Sequence, residues 1–174
     1  QKQNPYRQSH RYESVFKNVG EPIELFLIDD FPGHPYKVID NSDMTELTES
    51  IKANGLLNPI IVRKKADGRY ELISGHRRKR AYEILKLKKI NAVITDLNDD
   101  EAIIMMVDSN CQRSNILPSE KAFSYKMKLD AIKRQGKRTD LTLSQVGKKF
   151  NAYEELARSS GDSRNQVHRY IRLT

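Results

Sequence analysis

The sequence predicts an α+β protein in which a small mixed α/β domain is followed by an all-helical domain. Up to residue 112, strand-like apolar segments alternate with amphipathic helices, which is typical of a mixed sheet covered by helices. After Pro118, only helical periodicity remains. The net charge of +8 follows the same division: residues 1–110 hold 17 Lys and Arg against 17 Asp and Glu, and residues 111–174 hold 14 against 6.

The first domain is predicted over residues 21–114, after a polar tail of residues 1–20. Its strands are expected where β-branched and aromatic residues cluster between turn signals. An apolar run at 23–31 predicts one strand that ends at a Pro-Gly turn. Three further strands are predicted at 58–64, 69–74 and 90–95, the first two joined by a turn at Asp67-Gly68.

Three helices are predicted in this domain, because apolar residues recur there every three or four positions. The first helix, at 42–54, has Asp43 as its N-cap and Gly55 after its last turn. The second spans residues 75–88 and the third spans 99–113. The positions predicted to be at least partly buried are Met44, Leu47 and Ile51 in the first helix, and Ala81, Ile84, Leu85 and Leu87 in the second.

The second domain is predicted over residues 115–174 and contains only helices. A long helix begins at Pro118 and is predicted to stop at Gly136, because glycine favours helix ends. A charged loop and a short helix at 143–150 follow, and two more helices are separated by Gly161. The buried face of the long helix is predicted to consist of Ala122, Tyr125, Leu129 and Ile132.

Composition excludes several classes of protein. No apolar run approaches the roughly 20 residues that span a bilayer, and the first residues lack the apolar core of a secretory signal. A lone cysteine, Cys111, excludes an internal disulfide and a cysteine-based zinc cluster, and four scattered histidines lack metal-ligand spacing. We therefore expect a cytoplasmic protein. Because the sequence starts without Met and stops inside a helical pattern, we also expect a longer parent protein.

The segment "LISGHRRKRA", residues 72–81, joins a strand to a helix through a Ser-Gly pair and then places four cationic side chains in succession. A helix N-terminus has unpaired N–H groups and partial positive charge, so it binds phosphate well. Gly75 lets a ligand approach the backbone. Arg77 and Arg80 lie one turn apart on one face, whereas Arg78 points elsewhere. The segment predicts an anion site, with a solvated basic helix as the alternative.

A second polar segment, "DSNCQRSN" at residues 108–115, ends the third helix. Asn110 and Gln112 can donate and accept hydrogen bonds, and Arg113 adds positive charge. Taken alone, this segment is more simply interpreted as a helix C-cap and a loop.

The final segment, "YEELARSSGDSRNQVHRYIRLT", predicts a helix-turn-helix. A short helix around Leu156 is followed by a turn at Gly161, and a Ser-x-x-Gln capping box starts a new helix. In that new helix, the residues expected to face inward are Val167, Tyr170 and Ile171.

The outward face of the new helix suits the DNA major groove, where Arg pairs with guanine edges and Asn or Gln with adenine edges. Because the basic excess lies in this part of the chain, DNA binding is predicted; an ordinary three-helix packing unit is the alternative. Lys148 and Lys149 are expected to contact DNA phosphates. The candidate DNA-binding residues of the helix and its cap are Ser163, Arg164, Asn165, Gln166, His168, Arg169 and Arg172.

Two segments in this order, "SGHRRKRA" and then "NCQRSN" leading into "PSEKA", resemble the two sequence boxes of the ParB partition proteins. The upstream "LTESIKANGLLNPIIVRK" is similar to that family's approach to its first box. The resemblance extends over residues 22–174. It implies a ParB/sulfiredoxin-like α/β domain followed by a helical DNA-binding domain, with CTP and Mg²⁺ held between the two boxes.

The resemblance also implies partners and residue roles. It implies a homodimer that loads at a palindromic, parS-like site in double-stranded DNA, closes as a nucleotide-gated clamp, and works with a ParA-type ATPase on a chromosome, plasmid or mobile element. The lack of long apolar runs predicts no membrane partner. The resemblance places Asn110 near the metal. The residues placed in the nucleotide pocket are Ser74, Gly75, His76, Arg77, Arg78, Arg80, Asn110, Gln112 and Arg113.

Two positions depart from the family's pattern. Ser109 replaces the glutamate of the second box, so slow or absent CTP hydrolysis is expected. His34-Pro35-Tyr36 replaces a Gln-Pro-Arg loop near the base. The alternative functions are a nucleotide-independent transcriptional regulator and a ParB-fold nuclease or kinase. A sulfiredoxin-like reductase would need a cysteine where Ser74-Gly75-His76 stands.

Overall fold

The computed structural model describes residues 20–111, 116–140 and 152–174, with the backbone alone for 136–140. The chain forms two compact units that divide between Asp96 and Leu97. The sequence placed the domain boundary later, at residue 114, because the third helix follows directly after the last strand. In the structure this helix packs along the long helix of the second unit, so its contacts assign it there. No helix in the described ranges is long and apolar enough to span a membrane.

The first unit is built on a five-stranded mixed sheet with the strand order β1-β5-β3-β4-β2. β1 pairs antiparallel with β5, and β3 pairs antiparallel with β4 and parallel with β5. β2 pairs parallel with β4. The elements are β1 Glu21–Glu24, β2 Ile28–Asp29, α1 Ser42–Asn54, β3 Ile60–Lys64, β4 Tyr70–Ser74, α2 His76–Ile84 and β5 Lys89–Thr95.

The prediction of a single strand at 23–31 is wrong, because a 3₁₀ turn at Leu25–Leu27 divides this segment into β1 and β2. These two strands lie at opposite edges of the sheet, although only three residues join them. In a flat sheet the two edges would lie four inter-strand spacings of about 4.8 Å apart, which is more than the roughly 15 Å that this connection can span. The sheet must therefore curl. The turn lets the chain pass from one edge of the curled sheet to the other.

The core of the first unit lies between the sheet and the two helices. Ile60 and Val62 of β3 are fully buried on the same face, because side chains two residues apart point the same way. They pack in one cluster with Met44 and Ile51 of α1, and Leu47 is partly buried against it. The predicted apolar stripe of α1 is therefore confirmed.

The N-cap of α1 and the end of α2 differ from the sequence-based prediction, whereas α1 spans the predicted residues and ends at Gly55. The N-cap of α1 is Asn41, whose side chain accepts a hydrogen bond from the Met44 N–H at 3.1 Å, and Asp43 lies inside the first turn. α2 ends at Ile84, so the chain leaves the helix before the predicted burial pattern is complete. Consequently Ile84 and Leu87 are each 43% exposed, while Tyr82 is buried beside Ala81.

The second unit is helical wherever the structure gives regular elements. Its core joins Tyr125, Leu129 and Ile132 to Leu156 and Val167, and Ala122 is also buried, so the predicted face of the long helix is confirmed. The helices are α3 Asp99–Asn110, α4 Pro118–Asp140, α5 Ala152–Ser160 and α6 Arg164–Ile171.

The long helix α4 does not stop at Gly136 as predicted, but continues to Asp140. A glycine inside a helix costs about 1 kcal/mol relative to alanine, which a packed helix of this length tolerates. The short helix predicted at 143–150 lies outside the described residues.

Candidate functional site

The first box, residues 74–81, contains a glycine, Gly75, that no other residue could replace without strain. Gly75 is the N-cap of α2, with φ 109° and ψ 25° in the left-handed region. A Cβ built there would lie 2.6 Å from Cγ2 of the buried Ile60. Both conditions favour glycine, because a side chain here would be strained at this φ and would clash with Ile60. Ser74, before it, is the buried last residue of β4.

Arg77 is the arginine of the first box whose side chain has no partner among the described residues. It is half-buried, and it makes no hydrogen bond or ion pair with any residue that the structure describes. Its guanidinium therefore keeps five N–H donors for a ligand close to the start of α2.

Arg78 is directed into the first unit. Its Nη1 donates hydrogen bonds to the backbone carbonyls of Asn58, at 2.7 Å, and Pro59, at 2.6 Å. Burial lowers the pKa of this guanidinium. Arg78 thus fastens the segment before β3 to α2, and its assignment to a nucleotide stays a prediction.

Two acidic residues hold the other two cations of the first box. Asp40 accepts hydrogen bonds from Arg80 Nη2 at 2.5 Å and Nε at 3.1 Å, and Asp30 pairs with Lys79 Nζ at 2.7 Å. The hydrogen bond from Arg80 lowers the pKa of Asp40, and the same bond raises the pKa of Arg80. Sequence reasoning missed both carboxylates, because more than thirty positions separate each from its partner.

The loop of residues 30–40, which these two carboxylates bracket, also contacts the first box at its centre. The rings of His34 and His76 stack with centroids 3.5 Å apart and planes inclined by 25°. Tyr36 meets His34 edge-on, with centroids 5.5 Å apart, and is itself buried. The His34-Pro35-Tyr36 segment noticed in the sequence therefore lies against the start of α2.

The second box begins at the end of α3. Asn110 is buried, and its Nδ2 donates to the Met106 carbonyl at 2.8 Å and to Ser109 Oγ at 3.2 Å. Its Oδ1 accepts no hydrogen bond from the described residues. Ser109 Oγ donates to the Met106 carbonyl at 2.9 Å. Gln112 and Arg113, the other predicted pocket residues of this box, lie outside the described residues.

A buried cation that the sequence did not reveal ties the second box to two other helices. Lys128 of α4 is 2% exposed, and its ammonium pairs with Asp108 and donates to Ser159 Oγ of α5 at 2.5 Å. Burial raises the pKa of Asp108, and the adjacent Lys128 opposes that shift. Burial also raises the pKa of the Cys111 thiol to about 12, which makes it a poor nucleophile at neutral pH.

The predicted capping box at the start of α6 is confirmed. Ser163 Oγ accepts from the Gln166 N–H at 3.2 Å, and Gln166 Oε1 accepts from the Ser163 N–H at 2.9 Å. Gly161, with φ 74°, forms the preceding turn, and Val167 is fully buried. Asp162, which follows Gly161, accepts a hydrogen bond from Tyr125 Oη at 2.5 Å. This bond anchors the turn to α4.

The outward residues of α6 differ in their surroundings. His168 is half-buried and its ring stacks on Tyr153 of α5, with centroids 4.0 Å apart. Nη1 of Arg164 lies 3.6 Å from Oε1 of Glu154. Lys148 and Lys149 lie outside the described residues. The other predicted DNA-binding residues of the helix, all exposed, are Asn165, Arg169 and Arg172.

The fold and these surfaces define a mixed α/β domain with a glycine-arginine box, joined to a helical unit with a capped basic helix. The sequence profile of the ParB N-terminal domain family matches residues 8–111. A probable chromosome-partitioning protein ParB of Neisseria meningitidis is 37% identical over 135 residues, covering 78% of this chain and 41% of the relative. A nucleoid occlusion protein of Listeria innocua is 37% identical over 118 residues, covering 67% of this chain and 42% of the relative.

The chain belongs to the ParB family, and it spans less than half the length of these curated relatives. Among solved structures, the C-terminally truncated ParB of Caulobacter crescentus, complexed to the centromeric parS site, has a TM-score of 0.60 and 24% identity. The match covers 88% of this chain and 71% of that chain. At this identity the likeness shows the fold alone, and it confirms the predicted ParB-type mixed α/β fold.

Proposed function

We propose that this chain is the nucleotide- and DNA-binding part of a ParB-type partition protein. It binds CTP with Mg²⁺ and a palindromic, parS-like site in double-stranded DNA, and nucleotide closes a homodimer into a clamp that works with a ParA-type ATPase. The observation that carries this proposal is the first box, in which α2 begins at the glycine N-cap Gly75 and Arg77 has no partner among the described residues.

The first box has the chemistry that a triphosphate needs. The first N–H groups of α2 lack carbonyl partners within the helix, and the helix dipole places partial positive charge at the same end. Arg77 adds a full positive charge and a planar fork of donors that fits phosphate oxygens. This combination supports the assignment of Ser74, Gly75, His76 and Arg77 to the phosphates.

Asn110 fits the role of a magnesium ligand. Mg²⁺ prefers oxygen ligands and commonly takes only one or two from the protein, with phosphates and waters supplying the others. The Nδ2 group of Asn110 is held by its own helix, while Oδ1 accepts no hydrogen bond from the described residues. When bound, the ion would neutralise phosphate charge, and Asn110 would orient it.

The exposed face of α6 supports the DNA part of the proposal. Asn165 lies in the first turn of a helix whose opposite face is buried through Val167, which leaves its amide available to a base edge. The Caulobacter relative is described in complex with a centromeric parS site, and we extend that partner to this chain.

Calorimetric titration with CTP, in the presence of Mg²⁺, tests the nucleotide assignment. Removing one charged hydrogen-bonding arginine costs on the order of 2 kcal/mol, so Arg77→Ala should bind CTP about thirtyfold more weakly. Lys52→Ala, which removes an exposed charge at the end of α1, is the matched control and should bind like the parent.

Titrations with ATP, GTP and UTP complete the experiment, because they report the base preference. Equal affinity of Arg77→Ala and the parent protein would contradict the phosphate assignment. If none of the four triphosphates binds, the alternative of a nucleotide-independent DNA-binding regulator replaces this proposal.

A further inference from the structure

The loop of residues 30–40 places two acidic side chains against cations of the first box. Asp30 at one end pairs with Lys79, and Asp40 at the other end pairs with Arg80. The Lys79 side chain is only 11% exposed and has a second acidic neighbour, Glu83, at 3.6 Å. Arg80 is more accessible, at 43%, and Asp40 is 49% exposed, so solvent and solutes reach this second pair.

Asp40 is bound in the way that a guanidinium binds a phosphate group. Two neighbouring nitrogens of Arg80 donate to the two oxygens of the same carboxylate, at 2.5 Å and 3.1 Å. Fork-to-fork pairing of this kind suits carboxylates and phosphates alike. While Asp40 occupies these donors, an incoming anion cannot form the same two bonds.

We propose that Asp40 is an internal competitor for the first box, so that a polyphosphate must displace it from Arg80 in order to bind fully. This inference rests on the proposed nucleotide function and adds a residue that sets the affinity of the box. Arg77 and the start of α2 give an anion its first contacts, and Arg80 becomes available only by exchange of one anion for another.

The exchange is local, because other contacts besides Asp40 also attach the 30–40 loop. The His34 ring stacks on His76, and Asp30 stays paired with Lys79. Glu83 also remains beside Arg80, at 3.3 Å. Loss of the Asp40 contact therefore leaves the loop attached to α2, and the Asp40→Asn protein is expected to fold.

The test compares Asp40→Asn with the parent chain in calorimetric titrations with CTP and with inorganic triphosphate. Because exposed ion pairs are modest in strength, Asp40→Asn should bind both probes about three- to fivefold more tightly. Asp43→Asn removes the same charge from the first turn of α1, where Asp43 makes no ion pair with a described residue, and should bind like the parent.

A double-mutant cycle separates competition from a general change in charge. In an Arg80→Ala background, Asp40→Asn should bring no further gain, because the contested donors are absent. Unchanged or weaker binding by Asp40→Asn, or a gain that persists without Arg80, overturns the inference, as does failure of both proteins to bind inorganic triphosphate. Tighter binding of inorganic triphosphate without any binding of CTP keeps the inference and rejects the CTP proposal.

Discussion

Neighbouring arginines of the first box have three different environments. Arg77 has no partner among the described residues. Arg78 donates hydrogen bonds to two backbone carbonyls, and Arg80 forms an ion pair with Asp40. Helical spacing predicted that Arg78 would diverge from the other two, and its contacts agree. The identity of each partner was not predictable, because Asn58 and Asp40 are distant in sequence and reach α2 only through the fold.

Ser109 carries a prediction at the scale of a single residue. Its hydroxyl donates to the Met106 carbonyl, and a hydroxyl cannot act as a general base near neutral pH. We therefore predict that CTP hydrolysis is slow or absent and that Ser109→Glu increases it. Phosphate release in the presence of Mg²⁺ measures both proteins, with Ser109→Ala as the control that should show no increase. Parent turnover equal to that of Ser109→Glu would contradict this prediction.

Among the helices, the local signals for helix ends were right at some positions and wrong at others. The capping box of Ser163 and Gln166 forms as predicted, because its bonds join residues only three positions apart. Gly136 was predicted to end α4, yet the helix continues. A glycine lowers the stability of a helix without forbidding it, so packing of the preceding turns decides where the helix ends.

The recognition role of α6 is tested by changing a neutral side chain in its first turn. Asn165→Ala should lose about 1–3 kcal/mol of binding energy on the cognate duplex and much less on a scrambled duplex. Binding titrations on both duplexes measure the difference. Asn54→Ala, an identical substitution at the exposed end of α1, should leave both affinities unchanged. Equal weakening of both duplexes by Asn165→Ala would show that α6 does not read bases.

For the whole molecule, the uneven distribution of charge predicts how binding depends on salt. The entire excess of +8 lies in residues 111–174, whereas residues 1–110 are neutral. Each lysine that contacts a DNA phosphate releases counterions, which adds roughly one unit to the slope of log affinity against log salt concentration. Lys149→Ala should therefore weaken cognate and scrambled duplexes alike and flatten this slope by about one unit.

Titrations at several salt concentrations measure that slope. Lys52→Ala removes a lysine from the neutral part of the chain and should leave the slope unchanged. A slope that is the same for Lys149→Ala and the parent protein would remove Lys149 from the DNA interface.

The sequence alone determined the features that depend on neighbouring residues. Most of the order of helices and strands, the stripe of Met44 and Ile51, the turn at Gly161 and the two boxes follow from periodicity, turn chemistry and short motifs. These signals are local because backbone hydrogen bonds in helices and turns join residues at most a few positions apart.

Only the tertiary structure decided which distant groups meet. It split the run at 23–31 between two sheet edges, buried Lys128 between Asp108 and Ser159, and brought Asp40 to Arg80. No local pattern encodes these contacts, because a long-range contact depends on how sheet curvature and helix packing place segments that are far apart in sequence. The cations of the first box could therefore be found in the sequence, whereas the acidic residues that occupy two of them could not.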